Sequence, residues 1–274
     1  VSTGIRIKNL NIGISGGYTF GTKDYSTKLN FINDSVTYLK SNTEATSQFG
    51  GAFLNAGLQY VINTKKGGAV NLGGFVNLQH TLNATRDKIN ETFSFNSVGS
   101  TTTIDTVAYR DEEDGKVRMP MTYGIGFTYQ DKNRNWMFGA EFESTRWTDY
   151  RFYEEKDEVQ DSWVIRAGAE YYPARPNAPT LKYWNFVKYR AGFSYGPDYI
   201  RLNKNRNNYS ASLGASFPLT NAQRIRFGEY VLLNTAVEIG GRGNKQSESL
   251  RESILRFSFG ISMNARWFQK RSYD

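Results

Sequence analysis

The strongest constraint in this sequence is a period of two in its apolar residues. Between residues 10 and 20 the even positions are apolar, with Gly16 filling one gap, and the odd positions hold Asn, Gly, Ser and Thr. Such alternation predicts a β-strand with one apolar and one polar face. We find about eleven such segments, at residues 4–7, 10–21, 52–62, 70–78, 121–129, 136–142, 163–171, 187–195, 209–217, 231–239 and 255–263.

Two architectures use many amphipathic antiparallel strands. A soluble sandwich packs its apolar faces together and has strands of about five or six residues, whereas a membrane barrel turns them toward lipid over about nine to eleven residues. These segments have the longer length, and aromatic residues mark their ends as in an interfacial girdle. The girdle candidates are Tyr18, Phe20, Trp136, Trp163, Tyr171 and Tyr195. We therefore predict an all-β fold, an antiparallel transmembrane β-barrel of the bacterial outer membrane, as one domain over residues 1–274.

Composition agrees with that class. The mean hydropathy is −0.58, no run of about 18 apolar residues occurs, and aromatic residues make up 15% of the chain, which disfavours helical membrane proteins and disordered chains. Cysteine is absent, so no thiolate site is expected. The net charge of +8 is spread rather than concentrated, so we expect no nucleic-acid partner, and nothing indicates a cofactor.

Short and long connections alternate along the chain. Residues 8–9, 64–68 and 132–135 predict short turns, and residues 22–48, 85–116 and 148–161 predict long polar loops. Outer-membrane barrels place long loops outside the cell, so the last strand is expected to run toward a periplasmic C-terminus. Because bacterial barrels have an even number of strands, the odd count predicts further strands and an N-terminal segment before Val1, unless one strand is miscounted.

Several short motifs resemble one family. They are Asn11-Ile12-Gly13, Met119-Pro120, Trp147 with Asp149, Tyr189-Arg190-Ala191-Gly192-Phe193, Gly241-Arg242-Gly243, Arg251-Glu252, Arg256, Gly260, Trp267-Phe268, Lys270-Arg271 and Tyr273-Asp274. With them the chain resembles FadL-type outer-membrane transport proteins of the Bacteroidetes. The resemblance implies a barrel of about fourteen strands with an N-terminal hatch, of which this chain is the C-terminal three-quarters. It also implies passive uptake of long-chain fatty acids or other hydrophobic molecules.

Charged residues fall on the polar face of neighbouring strands. They are Glu141, Glu143, Arg166, Glu170, Lys188, Arg190, Glu238 and Arg256. Arg or Lys in mid-bilayer costs about 2–4 kcal/mol on a barrel, so these side chains are expected in the lumen. The favoured interpretation is a lattice of cross-strand salt bridges, and the alternative is contact with a substrate carboxylate.

No spacing of His, Ser and Asp suggests catalysis, and we expect no enzyme; His80 is placed on the lipid-facing set. The acidic run of Asp111, Glu112, Glu113 and Asp114 is interpreted as a solvated segment, with a Ca²⁺ site as the alternative.

The leading functional hypothesis is uptake of a hydrophobic small-molecule ligand, with outer-membrane lipid and lipopolysaccharide around the barrel. The competing hypothesis is a non-transporting barrel that serves as a structural subunit of an outer-membrane secretion or assembly machine, with other outer-membrane proteins as partners. A general aqueous pore is a third, less favoured hypothesis.

Overall fold

A computed structural model describes residues 1–30, 39–65, 67–174, 182–201, 206–221, 229–243 and 251–264. These residues form one antiparallel sheet of fourteen strands. The strands are β1 (Ser2–Ile7), β2 (Leu10–Leu29), β3 (Lys40–Asn63), β4 (Ala69–Asn77), β5 (His80–Phe95), β6 (Thr101–Met119), β7 (Thr122–Gln130), β8 (Trp136–Thr145), β9 (Arg151–Phe152), β10 (Ser162–Tyr171), β11 (Lys188–Pro197), β12 (Asn207–Pro218), β13 (Tyr230–Arg242) and β14 (Glu252–Asn264). Two 3₁₀ helices cover Trp147–Asp149 and Tyr183–Phe186. No helix among the described residues has the length and apolar character needed to cross a membrane.

The eleven strands predicted from the alternation are all present and pair in chain order. They are β1, β2, β3, β4, β7, β8, β10, β11, β12, β13 and β14, each antiparallel to the next. Strands β7, β8, β10 and β11 have nine or ten residues, the length expected for a membrane crossing. The all-β, antiparallel outer-membrane fold is therefore confirmed.

The apolar face of the sheet is uncovered, which excludes a sandwich. Side chains of the apolar sets remain widely exposed, including Ile125 at 65%, Leu213 at 70% and Phe259 at 76%. In a sandwich these side chains would be buried against a second layer, but the described residues form a single sheet. An uncovered apolar face of this extent is what an outer-membrane barrel turns toward lipid.

The connections define two ends of the sheet. The short-turn end carries the links β1–β2, β3–β4, β7–β8, β10–β11 and β12–β13, and the long-loop end carries β2–β3, β5–β6, β8–β9, β9–β10, β11–β12 and β13–β14. The β4–β5 and β6–β7 links are short interruptions between strands that continue in the same direction. Turn residues Lys8 and Arg134 have φ of 55° and 57°, in the left-handed region typical of tight turns. The alternating short and long connections predicted from the sequence thus lie at opposite ends.

Two segments predicted as long loops are largely strands. β2 and β3 continue past the membrane band, and residues 80–119 fold into the hairpin of β5 and β6, with β5 hydrogen-bonded to β3. We call residues 22–29, 40–48, 83–95 and 101–115 the sheet extension. Nine residues of β3 lie in it, which at about 3.3 Å per residue is about 30 Å of strand beyond the band. The loop prediction failed because polar β-strands in water carry no apolar alternation.

The proposed motifs of the C-terminal tail, Trp267-Phe268, Lys270-Arg271 and Tyr273-Asp274, lie outside the described residues.

Candidate functional site

The polar face carries a cavity of about 700 Å³ at the middle of the sheet. Strands β4, β7, β8 and β10 supply most of its wall, and its floor is largely glycine, at positions such as Gly73, Gly126 and Gly168. Phe75 is its main aromatic side chain, and its ring lies over Gly124 on the adjacent strand. The cavity is therefore shaped by small residues, and its specific chemistry comes from the charged side chains that line it.

The first charged group joins β8 to β10. Register places Arg166 opposite Glu141, and its Nη1 donates to Glu141 Oε1 at 2.7 Å and to Glu143 Oε2 at 3.1 Å. Glu141 and Glu143 are two residues apart on one strand, so both point to the same face. The single positive charge of Arg166 thus partly offsets the negative charges of the two carboxylates, which would otherwise repel each other.

The second charged group joins β10 to β11 and continues as a hydrogen-bond chain. Arg190 Nε donates to Glu170 Oε2 at 2.7 Å, and Lys188 Nζ lies 3.8 Å from Glu170 Oε1. Arg190 Nη1 also donates to the fully buried Ser216 Oγ at 2.9 Å. Ser216 donates to Asn234 at 2.6 Å, and Asn234 donates to Ser262 at 2.9 Å. Polar contacts thus cross five successive strands, β10 to β14.

The third pair is Glu238 with Arg256, whose Nη1 donates to Glu238 Oε2 at 3.1 Å across β13 and β14. The eight charged residues named from the sequence, which we call the charge ladder, comprise four carboxylates and four cations with zero net charge. Each cation of the ladder has a carboxylate within 4.0 Å. Opposite charges that face each other on neighbouring strands are the arrangement expected of a cross-strand salt-bridge lattice.

The aromatic girdle candidates form two clusters on the apolar face. Trp136 stacks on Phe138 at 5.5 Å between ring centroids and lies 4.5 Å from Tyr171, at the short-turn end. Trp163 lies 5.9 Å from Tyr195 at the long-loop end. Trp163 and Tyr171 are eight positions apart on β10, which is about 26 Å along the strand. For a strand tilted by about 40°, the two aromatic clusters are therefore about 20 Å apart along the membrane normal. This separation fits the apolar band of a barrel.

The remaining girdle candidates, Tyr18 and Phe20, are 66% and 80% exposed on β2. They mark the level at which the sheet extension begins.

The acidic run is not gathered around a common centre. Arg86 donates to Glu113 at 2.9 Å, and this hydrogen bond lowers the pKa of Glu113. The backbone N–H of Glu112 binds Asp87, and Asp111 lies against Tyr109, whose pKa it raises. In the part of the chain that the structure describes, no three His, Asp or Glu side chains are placed to hold a metal ion.

His80 was wrongly placed on the lipid-facing set. Its ring lies 6.4 Å from that of Phe53, which belongs to the polar-face set of β3. The chain is interrupted at Leu78 and Gln79, between β4 and β5, and the register against β3 shifts there by one residue. Even-numbered residues therefore face the apolar side in β4 but the polar side in β5. Leu82 and Ala84 consequently also turn to the polar face.

The loop of residues 146–161, which we call the cap loop, crosses the polar face at the long-loop end. Its β9 pairs with β6, and its Phe152 and Tyr153 pack on the buried cluster of Leu82, Ala84 and Val117. Lys23 Nζ lies 4.6 Å from the Phe152 ring centroid, and the Arg86 guanidinium lies 4.2 Å from that of Tyr153. Since Lys23 is on β2, the cap loop reaches across β6, β5 and β3.

Tyr153 occupies a strained position. Its φ is 53° and that of Glu154 is 62°, and the turn is closed by two backbone hydrogen bonds between Phe152 and Glu155. Left-handed φ values at two bulky residues cost about 1–3 kcal/mol each. The Tyr153 ring packs on the cluster of Leu82, Ala84 and Val117, and burial raises the pKa of its hydroxyl. From the sequence, this segment is predicted only as a long polar loop. Its packing on the sheet could have been inferred from the aromatic residues that lie among the charges of segment 147–153.

A buried ion cluster secures the other side of the cap loop. Asp198, fully buried, accepts hydrogen bonds from Arg242 Nε at 2.7 Å and Nη2 at 2.8 Å, and Arg206 Nε lies 3.6 Å away. Gln160 of the cap loop donates to the Asp198 backbone carbonyl. Trp147 stacks on Tyr199 at 4.8 Å between centroids. The cap loop is thus tied to β2, β5 and β6 on one side and to the segment that follows β11 on the other.

The model of a family described as BamG matches residues 1–274. No curated protein matches the chain. Because the match covers the whole sequence and the fold is that of an outer-membrane β-barrel, the chain belongs to the BamG family.

Proposed function

We propose that this protein is a non-transporting barrel that acts as a structural subunit of an outer-membrane protein complex, of the β-barrel assembly (Bam) type. Family membership supports this role, since the name BamG points to that machinery. The proposal includes no catalysis.

The sheet extension is the observation that carries the proposal. It lies beyond the membrane band, yet Ile104, Val107 and Tyr109 on β6 are 50%, 67% and 60% exposed. Ile104 and Val107 are the residues left unpaired at two register shifts between β5 and β6, and exposed apolar side chains at such positions support a contact with another protein. Three register shifts against β5 break the regular ladder of β6, which disfavours indiscriminate strand addition and favours a side-chain contact.

The interior argues for a scaffold more than for a conduit. The charge ladder is neutral and internally paired, and the cap loop lies across the polar face at one end. A stiff, partly covered barrel presents a constant outer surface to partner proteins, whereas uptake of a ligand requires a free route.

Orientation and surroundings belong to the proposal. Long loops of outer-membrane barrels face outward, so we place the sheet extension outside the cell, among lipopolysaccharide, and the end of β14 on the periplasmic side. The resemblance to FadL-type barrels of the Bacteroidetes then concerns shared architecture without shared transport.

The test is an interaction assay with matched variants. Ile104→Glu combined with Val107→Glu removes the apolar contact and is expected to release the tagged protein from a discrete native-membrane complex of outer-membrane proteins. Gln48→Glu, an exposed polar position in the same extension, is the control and is expected to leave the complex intact. A protein that migrates alone in mild detergent, with or without the substitutions, would refute the subunit role.

Passive uptake of long-chain fatty acids is the second candidate. The cavity of about 700 Å³ supports it, because it is within the size range of small-molecule sites. Uptake of labelled oleate by liposomes that contain the protein is the discriminating measurement. The subunit role predicts uptake equal to that of empty liposomes.

A further inference from the structure

We infer that the 3₁₀ helix Tyr183–Phe186 is a membrane anchor that places Tyr183 and Trp184 in the lipid interface at the short-turn end. The inference depends on the fold and not on the proposed function. We call the group of Tyr183, Trp184, Phe217 and Leu219 the aromatic foot.

The foot is rigid and presents its rings outward. The inner side of the 3₁₀ helix is fixed, since Phe186 is 7% exposed and Val187 is fully buried. The outer side is open, with Tyr183 at 49% and Trp184 at 61% exposure. Tyr183 Oη donates to the Pro218 carbonyl at 3.2 Å, which ties the helix to the end of β12.

The foot continues the lipid-facing surface. Phe217 belongs to the apolar set of β12, and the ring of Trp184 meets it edge-on at 6.5 Å between centroids. Tyr183 meets Trp184 edge-on at 5.7 Å. Leu219, 60% exposed, extends the same surface beyond the strand. A chain segment outside the sheet is thereby turned toward the bilayer side.

The foot also fills a gap in the girdle. At the short-turn end the girdle runs through Trp136, Tyr171 and Tyr189, which are cross-strand partners on β8, β10 and β11. The next partner, on β12, is Ala215. Trp184 packs on Phe217, the next residue of the β12 apolar set toward the short-turn end, and places a further aromatic ring beside this position.

The chemistry fits a lipid interface. Trp and Tyr have an apolar body and a polar N–H or O–H, and they concentrate where hydrocarbon meets headgroups. Lys182, exposed beside Tyr183, can extend its ammonium to a lipid phosphate. The occupant of this surface is therefore the headgroup region of the bilayer.

Quenching by brominated lipids tests the anchor on the full chain in bilayers. The emission lost on Trp184→Phe substitution isolates the Trp184 signal. We expect lipid brominated near the headgroup to quench that signal about twofold more than lipid brominated near the chain end. The matched control is Trp147→Phe, whose lost emission reports the cap loop and is expected to be insensitive to either lipid.

Folding of each variant is checked by circular dichroism, and a spin label at Leu219→Cys gives a second readout that needs no tryptophan change. We expect that label to be reached by both oxygen and a water-soluble nickel complex, as at a headgroup boundary. Trp184 emission that neither lipid quenches, or a Leu219 label reached only by the nickel complex, would overturn the anchor and indicate water or a protein partner there.

Discussion

Replacing Asp198 with Asn tests the energetic importance of the buried ion cluster. Asn has nearly the shape of Asp but no charge, and it offers one acceptor where Arg242 now uses two, at 2.7 and 2.8 Å. Removing one partner of a buried pair costs about 3–5 kcal/mol. Because the Arg242 side chain is 26% exposed and retains some water, we expect the low end, about 3 kcal/mol, or about 150-fold in the unfolding equilibrium.

The assay is urea unfolding of the reconstituted protein, followed by tryptophan emission. Arg110→Gln is the control, because Arg110 is 73% exposed and lies 3.9 Å from Glu113, so its loss is expected to cost under about 0.5 kcal/mol. Combining Asp198→Asn with Arg242→Gln is expected to cost less than the sum of the single changes by about 2 kcal/mol. An Asp198→Asn effect no larger than the Arg110→Gln effect would refute the reasoning.

Three further outcomes are expected. Arg166→Met removes the cation that pairs with Glu141 and Glu143. We expect the free energy of unfolding in urea to fall by about 1–2 kcal/mol, a modest amount because the Arg166 side chain is 45% exposed and solvent screens the pair. An unchanged free energy of unfolding would argue against a stabilising ladder. Gly115→Ala puts a methyl group into the Tyr153 ring and is expected to expose the cap loop to protease, while equal protection would show that the ring does not lie there. The hydrogen bond from Arg86 lowers the pKa of Glu113 in the folded protein, so the stabilisation from this pair is present above the ordinary carboxyl pKa and is lost as the pH falls through the folded pKa. Hydrogen exchange of the cap loop is therefore expected to rise below about pH 4. The Glu113→Gln variant is expected to lose this pH dependence.

The membrane-level fold could be predicted from the sequence because lipid on one side and a polar interior on the other impose a period of two. Leu213, for example, must alternate with Ser212 whatever the neighbouring strands contain. The sheet extension lacks that constraint, since most residues on both faces of β5 and β6 are polar and show no regular apolar alternation. Its strands are set by pairing with β3, which is distant in sequence.

The site was partly predictable for the same reason. Charges on the polar face had to lie inside, but which charges pair depends on register, so Arg190 meets Glu170 and not Glu141. Asp198 and Arg242 are 44 positions apart and stand in no pattern that marks them. The reversed faces after Leu78 depend on an interruption that the alternation itself hides.

The central claim is that the apolar face meets lipid and the polar face encloses the interior. Since the chain has no cysteine, single-cysteine spin labels along β12 test it directly in bilayers. We expect labels at Ala211 and Leu213 to be reached by membrane-dissolved oxygen, and labels at Ser210 and Ser212 to be reached by a water-soluble nickel complex. Labels at Ala211 and Leu213 that neither reagent reaches, as inside a packed protein core, would contradict the account.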